Sequence, residues 1–150
     1  MTKKTSTDLV GTIEPLFAKA PALPANARDI LVKIMPWIAL IFGILGVLGA
    51  ISGLGLLTAT SPMAVLGGAE GVSAYGTGFL ASIIWLISSV LMLMAYPGLK
   101  KRQYKGWNLL FYSEVVSLVG AIVSITSIVG GIIGALIGFY LLFQIKSHYK

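Results

Sequence analysis

Few side chains in this sequence could do chemistry, and Glu114 stands apart among them. It is the only charge in the apolar stretch that runs from Trp107 to Ile145. If a helix starts at Trp107, Glu114 lies about 10 Å below the membrane interface. A carboxylate is costly in hydrocarbon, so an intramembrane acid is a candidate for function. It could relay protons or hold a cationic substrate. It could equally be structural, paired with Lys33 on an earlier span or reaching back to the headgroups.

Beside it runs a seam of small and hydroxyl residues, Ser113, Ser117, Gly120, Ser124 and Ser127, at heptad-like spacing. Glu114 lies about 100° around the helix from that seam. Such a seam lets helices approach closely and hydrogen-bond, at about 0.6 kcal/mol per bond. It could instead line a wet path.

No nucleophile–base pair, phosphate-binding loop or paired carboxylate occurs, so the sequence points away from an enzyme. There are no cysteines and only one histidine, His148. A metal centre needs several converging ligands, so no metal or other cofactor is expected.

The elements that must position these residues are membrane helices. The chain has 150 residues, 57% hydrophobic and 11% charged, against about 25% charge in soluble domains. Its mean hydropathy is +0.92. A chain this short has too little interior to hide that much apolar surface from water. The net charge of +6 could suggest nucleic acid, but the basic residues lie beside apolar spans, where they set topology. Nucleic-acid binding is not expected.

Charge placement gives the topology. Lys100, Lys101, Arg102 and Lys105 fall in one short turn, Tyr96–Trp107, between apolar stretches. Lys3, Lys4, Lys19, Arg28 and Lys33 precede the first span, and Lys146 and Lys150 follow the last. The 58–77 and 126–131 segments contain no Lys or Arg. The positive-inside rule then puts both termini and the basic turn in the cytoplasm. The apolar run after Trp107 must cross twice, because it is too long for one span and basic at both ends. The expected fold is an all-α bundle of four transmembrane helices, with spans at about 34–57, 79–96, 107–126 and 129–145 within a 27–150 membrane domain.

Residues 1–26 form a separate cytoplasmic segment. It has no apolar core of the kind a secretory signal carries. Leu9, Ile13, Leu16 and Phe17 recur at helical spacing, with Pro15 among them. This amphipathic pattern fits a helix lying on the inner leaflet, or a tail docked on the bundle. Asn26 is placed to cap a helix from Ala27, with a bend expected at Pro36. The 58–77 stretch reads as a long loop: Ser61-Pro62 could start one helical turn, and G-G-A-E-G after it reads as non-helical.

Glycine spacing suggests how the spans pack. Gly49 and Gly53 make a GxxxG pair, and Gly46 sits on the same span. Gly130, Gly134 and Gly138 make a GxxxGxxxG run. Small residues at this spacing allow close backbone approach in lipid, either within one chain or between copies.

Residues 96–112 (YPGLKKRQYKGWNLLFY) and 133–150 (IGALIGFYLLFQIKSHYK) resemble small uncharacterised four-span membrane proteins of bacteria, notably of candidate phyla. The resemblance implies a bacterial inner-membrane address and brings no activity or site residues with it. Small multidrug transporters also have four helices but carry their acid in the first, where this chain has none after Asp29. The sequence therefore suggests a non-enzymatic membrane protein acting by assembly, as a homo-oligomer or with a partner membrane protein, in contact with anionic lipid at the inner leaflet. The alternative is a small channel or proton-coupled transporter using Glu114 and the serine seam.

Overall fold

The computed structural model describes residues 9–124 and 128–150. The described chain is helical throughout: α1 (Leu9–Ala18), α2 (Ala25–Leu66), α3 (Gly68–Lys100), α4 (Tyr104–Val123) and α5 (Ile128–Ile145), closed by a short 3-10 turn, Lys146–His148. Four of these helices are long and apolar enough to cross a membrane. The proposed turn at 126–131, Ser127 and the lysines at positions 3 and 4 fall wholly or partly outside the described residues.

The largest departure from expectation is the 58–77 stretch, which is not a loop. α2 continues to Leu66 and α3 begins at Gly68, with Gly67 alone between them. The reason lies in the hydroxyls. Pro62 has no N–H to give the Thr58 carbonyl four residues back, which would normally break the helix. The Ser61 hydroxyl donates to that same carbonyl at 2.8 Å. Thr58, Thr60 and Thr77 likewise donate to carbonyls of their own helices. Residues that read as loop-formers thus satisfy the helix that carries them. Gly68 supplies the left-handed φ of +64° at the turn. A side chain on Gly71 would strike the Ala64 carbonyl, so this glycine lets the two helices meet.

Prolines elsewhere also lie inside helices. α2 starts at Ala25 after Pro24 and passes through Pro36 as helix. α3 runs through Pro97 to Lys100. The turn after it uses Arg102 at φ +54°. α3 and α4 then cross almost in contact, because a Cβ on Gly106 would overlap the backbone of Gly98 and Leu99.

α2 and α3 form a long antiparallel hairpin, α4 packs on α3, and α5 packs mainly on α4. Ser124, at the end of α4, shares a cavity with Ala81 and Ser82. The hairpin tip therefore extends about 20 Å past α4, at 1.5 Å per residue. The tight core lies at the opposite, basic end. Trp107 and Phe111 are fully buried there, stacked 5.6 Å apart, and Phe111 meets Phe139 at 5.4 Å. The Trp107 indole N–H donates to the Leu142 carbonyl at 2.9 Å, tying α4 to α5. Large apolar side chains such as Phe42, Leu45 and Leu136 point outward, as they must in helices solvated by lipid.

The N-terminal segment docks on the bundle. Val10 is buried, and Phe17 stacks on Phe143 at 5.6 Å and tilts against Phe139 at 6.2 Å. Glu14 pairs with Lys146 at 2.6 Å, and the Tyr140 hydroxyl donates to the Pro21 carbonyl at 2.7 Å.

Candidate functional site

The glycines of the first span pack within the chain. Adding a Cβ to Gly46 would strike the Ser89 hydroxyl, and on Gly49 it would come within 3.1 Å of Trp85. Gly53 faces Ser82 at 3.5 Å. Ser82, Trp85 and Ser89 share one face of α3, so the α2 glycine face is filled by α3 of the same molecule. Gly43, which the GxxxG spacing passes over, belongs to the same seam and faces Leu93.

The serine seam of α4 meets α3. The Ser88 hydroxyl donates to the Ser113 carbonyl at 2.8 Å and shares a hydrogen bond with Ser117 at 2.5 Å. Gly120 abuts Ile84. Toward the hairpin tip the seam opens into a cavity of about 320 Å³, bordered by Ser82, Trp85, Ser117 and Ser124.

α5 splits its glycine run. Gly138 lies against the Glu114 carboxylate, and Gly131, outside the GxxxGxxxG register, lies against Ala121. Among the described residues, Gly130 and Gly134 would meet no atom within 4 Å. The face that α5 turns to the fold is instead Gly131, Ala135, Gly138, Leu142 and Ile145, a heptad-like stripe of which Ala135, Leu142 and Ile145 are buried.

Glu114 borders a cavity of about 160 Å³ where α2, α3, α4 and α5 converge, among Leu31, Met35, Met92, Leu110 and Gly138. No ion pair joins it to Lys33 among the described residues. Lys33 lies over a different cavity, of about 190 Å³, which it shares with Trp37, Lys100 and Arg102. Lys101 and Lys105 line a third, on the other side of the turn.

Contacts that the sequence did not signal hold the basic end together. The Tyr104 N–H donates to the Lys150 carbonyl at 2.8 Å, and the Lys150 N–H donates to the Arg102 carbonyl at 3.1 Å. The Leu23 N–H donates to the Gln144 side chain at 3.0 Å. Asp29 lies 3.4 Å from His148, an ion pair when the imidazole is protonated. Each joins residues far apart in the chain, with no spacing rule to reveal it. The N-terminal segment, the basic turn and the C-terminus therefore meet at one end of the bundle. Among the described residues no group of three metal-ligating side chains converges.

No protein-family model, curated protein or solved structure matches this chain.

Proposed function

We propose that this chain is a multi-pass protein of the bacterial inner membrane that acts by assembling with further copies of itself or with a partner membrane protein. Both termini and the basic turn lie in the cytoplasm in this reading, and the protein performs no catalysis. The resemblance to small four-span bacterial proteins belongs with it. The observation that carries the proposal is the split of the α5 glycines. Gly131 and Gly138 are covered by α4, whereas Gly130 and Gly134 have nothing within 4 Å among the described residues. Glycine is unfavourable within a helix by about 1 kcal/mol relative to alanine. Two of them one turn apart on an open face suit a second helix at close range.

Light scattering of the purified protein in mild detergent and in nanodiscs tests this. A defined oligomer is expected for the unmodified chain. Gly134→Leu and Gly130→Leu should shift it to a smaller mass, whereas Gly55→Leu, at an open position on α2, should not. A monomeric unmodified chain with no co-purifying partner overturns the reading.

A second reading, a small proton-coupled transporter, draws on one specific feature. Glu114 borders an apolar cavity between four helices without an ion-pair partner among the described residues.

A further inference from the structure

The geometry points to a binding site for the phosphate of an anionic phospholipid in the cavity formed by Lys33, Trp37, Lys100 and Arg102. This rests on the proposed membrane orientation and sharpens the contact with anionic lipid expected from the sequence into one site built from two separate parts of the chain. Lys33 and Trp37 come from the start of α2, and Lys100 and Arg102 from the end of α3 and its turn.

Charge balance comes first. Three cations surround a cavity of about 190 Å³, and among the described residues no carboxylate neutralises them. Glu14 is held by Lys146, and Asp29 lies on His148, 3.4 Å away, an ion pair when the imidazole is protonated. Glu114 borders its own cavity, and Glu70 lies in the first turn of α3, at the hairpin tip. Tyr149 offers no negative charge either: a phenol is neutral at about pH 7, and burial pushes this one further up, to about 12, although Arg102 pulls it the other way. Converging cations with no counter-charge repel one another, and an anion relieves that cost.

The backbone at the turn that carries Arg102 is fixed. Arg102 has a left-handed φ of +54°, held because its N–H donates to the Leu99 carbonyl at 3.1 Å and its own carbonyl accepts from Lys150. Lys100 is steered by the Tyr96 ring, 5.8 Å below its ammonium. The floor is apolar and closed, with Val32 and Leu99 buried.

The lipid-facing side makes the occupant a phospholipid rather than a soluble anion. Trp37 is half exposed at the rim, edge-on to Tyr96 at 6.2 Å, as interfacial tryptophans are. Ile41, one turn further along α2, is exposed on the same side, a path for an acyl chain. A headgroup bearing its own ammonium would be repelled by three cations, so a headgroup of net negative charge such as phosphatidylglycerol is favoured. Basic pockets between helices at the cytoplasmic surface suit such headgroups, at about 1 kcal/mol per basic residue.

The test is native mass spectrometry of the full chain released from phosphatidylcholine nanodiscs doped with phosphatidylglycerol. One tightly retained phosphatidylglycerol per chain is expected. The triple variant Lys33→Gln, Lys100→Gln, Arg102→Gln should weaken retention about hundredfold. The double variant Lys101→Gln, Lys105→Gln, on the other side of the same turn, should keep it. Equal loss in both variants means only a diffuse belt and overturns the site, as does retention by the triple variant. Melting in pure phosphatidylcholine nanodiscs with added glycerol phosphate separates the anion sources. Stabilisation equal to that given by phosphatidylglycerol would assign the cavity to a soluble phosphate and overturn the lipid proposal. Nanodiscs expose both faces, so the outcome does not depend on which way the protein is inserted in the cell.

Discussion

Glu114 and Gly138 show how much one residue's surroundings decide. A carboxylate among Leu31, Met35, Met92 and Leu110 has no ion-pair partner among the described residues. An acid in such a place is tolerated when it carries a proton or a cationic ligand. The transporter reading therefore makes a prediction that belongs to this residue alone. Glu114→Gln keeps the shape and removes the charge, so proton-coupled flux in proteoliposomes should vanish while the mass in detergent stays the same. Unchanged flux ends that reading. Nothing in the sequence revealed that Gly138 is the wall against which Glu114 rests. In the glycine register it looked like one of three equivalent positions, but Gly130 and Gly134 are open and Gly138 is not. Equivalence along the chain does not survive the choice of which side of α5 faces α4.

At the scale of elements, α1 poses a question of magnitude. It docks through the Phe17 stacks and through the Glu14–Lys146 pair. The pair is a quarter to nearly half exposed, at 25% and 45%, and such pairs contribute about 0–1 kcal/mol. Two aromatic contacts contribute about 0.5–1.5 kcal/mol each. Phe17→Ala is therefore expected to release α1, seen as faster hydrogen exchange over residues 9–18, whereas Glu14→Ala should change it little. Equal effects would mean that charge holds the helix. The amphipathic pattern of this segment was legible in the sequence, but its destination was not, because an apolar stripe suits a lipid surface and a protein surface equally well. The 58–77 stretch fails differently. Serine and threonine favour loops because their hydroxyls can hydrogen-bond the backbone outside a helix, proline because it lacks an N–H and glycine because it loses the most backbone freedom. Here the Ser61 hydroxyl caps the carbonyl that Pro62 leaves unpaired, and the helix continues.

For the whole molecule the question is sidedness. The hairpin turn at Gly67 and the turn at Arg102 lie at opposite ends of α3, and the contact of Tyr104 with Lys150 places the C-terminus beside the basic turn. The chain has no cysteines, so single cysteines report position without background. In the proposed orientation, an impermeant maleimide added outside the cell should label Gly67→Cys and spare Gln103→Cys. Transferring the charges of Lys100, Lys101, Arg102 and Lys105 into 58–77 should reverse or scramble that pattern, because Lys and Arg near span ends set orientation. Labelling that ignores the transfer would show that the basic turn does not govern topology.

By itself the sequence determined that this is an all-helical chain with four helices fit to cross a membrane, since hydropathy and span length are properties of short consecutive stretches. It also determined that the basic residues collect at the ends of spans, because charge position is written residue by residue. Only the tertiary structure decided which way each helix faces. That choice consumes Gly46, Gly49 and Gly53 inside the chain, leaves Gly130 and Gly134 open, and separates Glu114 from Lys33. It also gathers Lys33, Lys100 and Arg102 around one cavity. The physical reason is that a helix's rotation about its own axis is set by the helices packed against it. In lipid, where every face of an apolar helix is equally well solvated, hydropathy carries no information about that rotation.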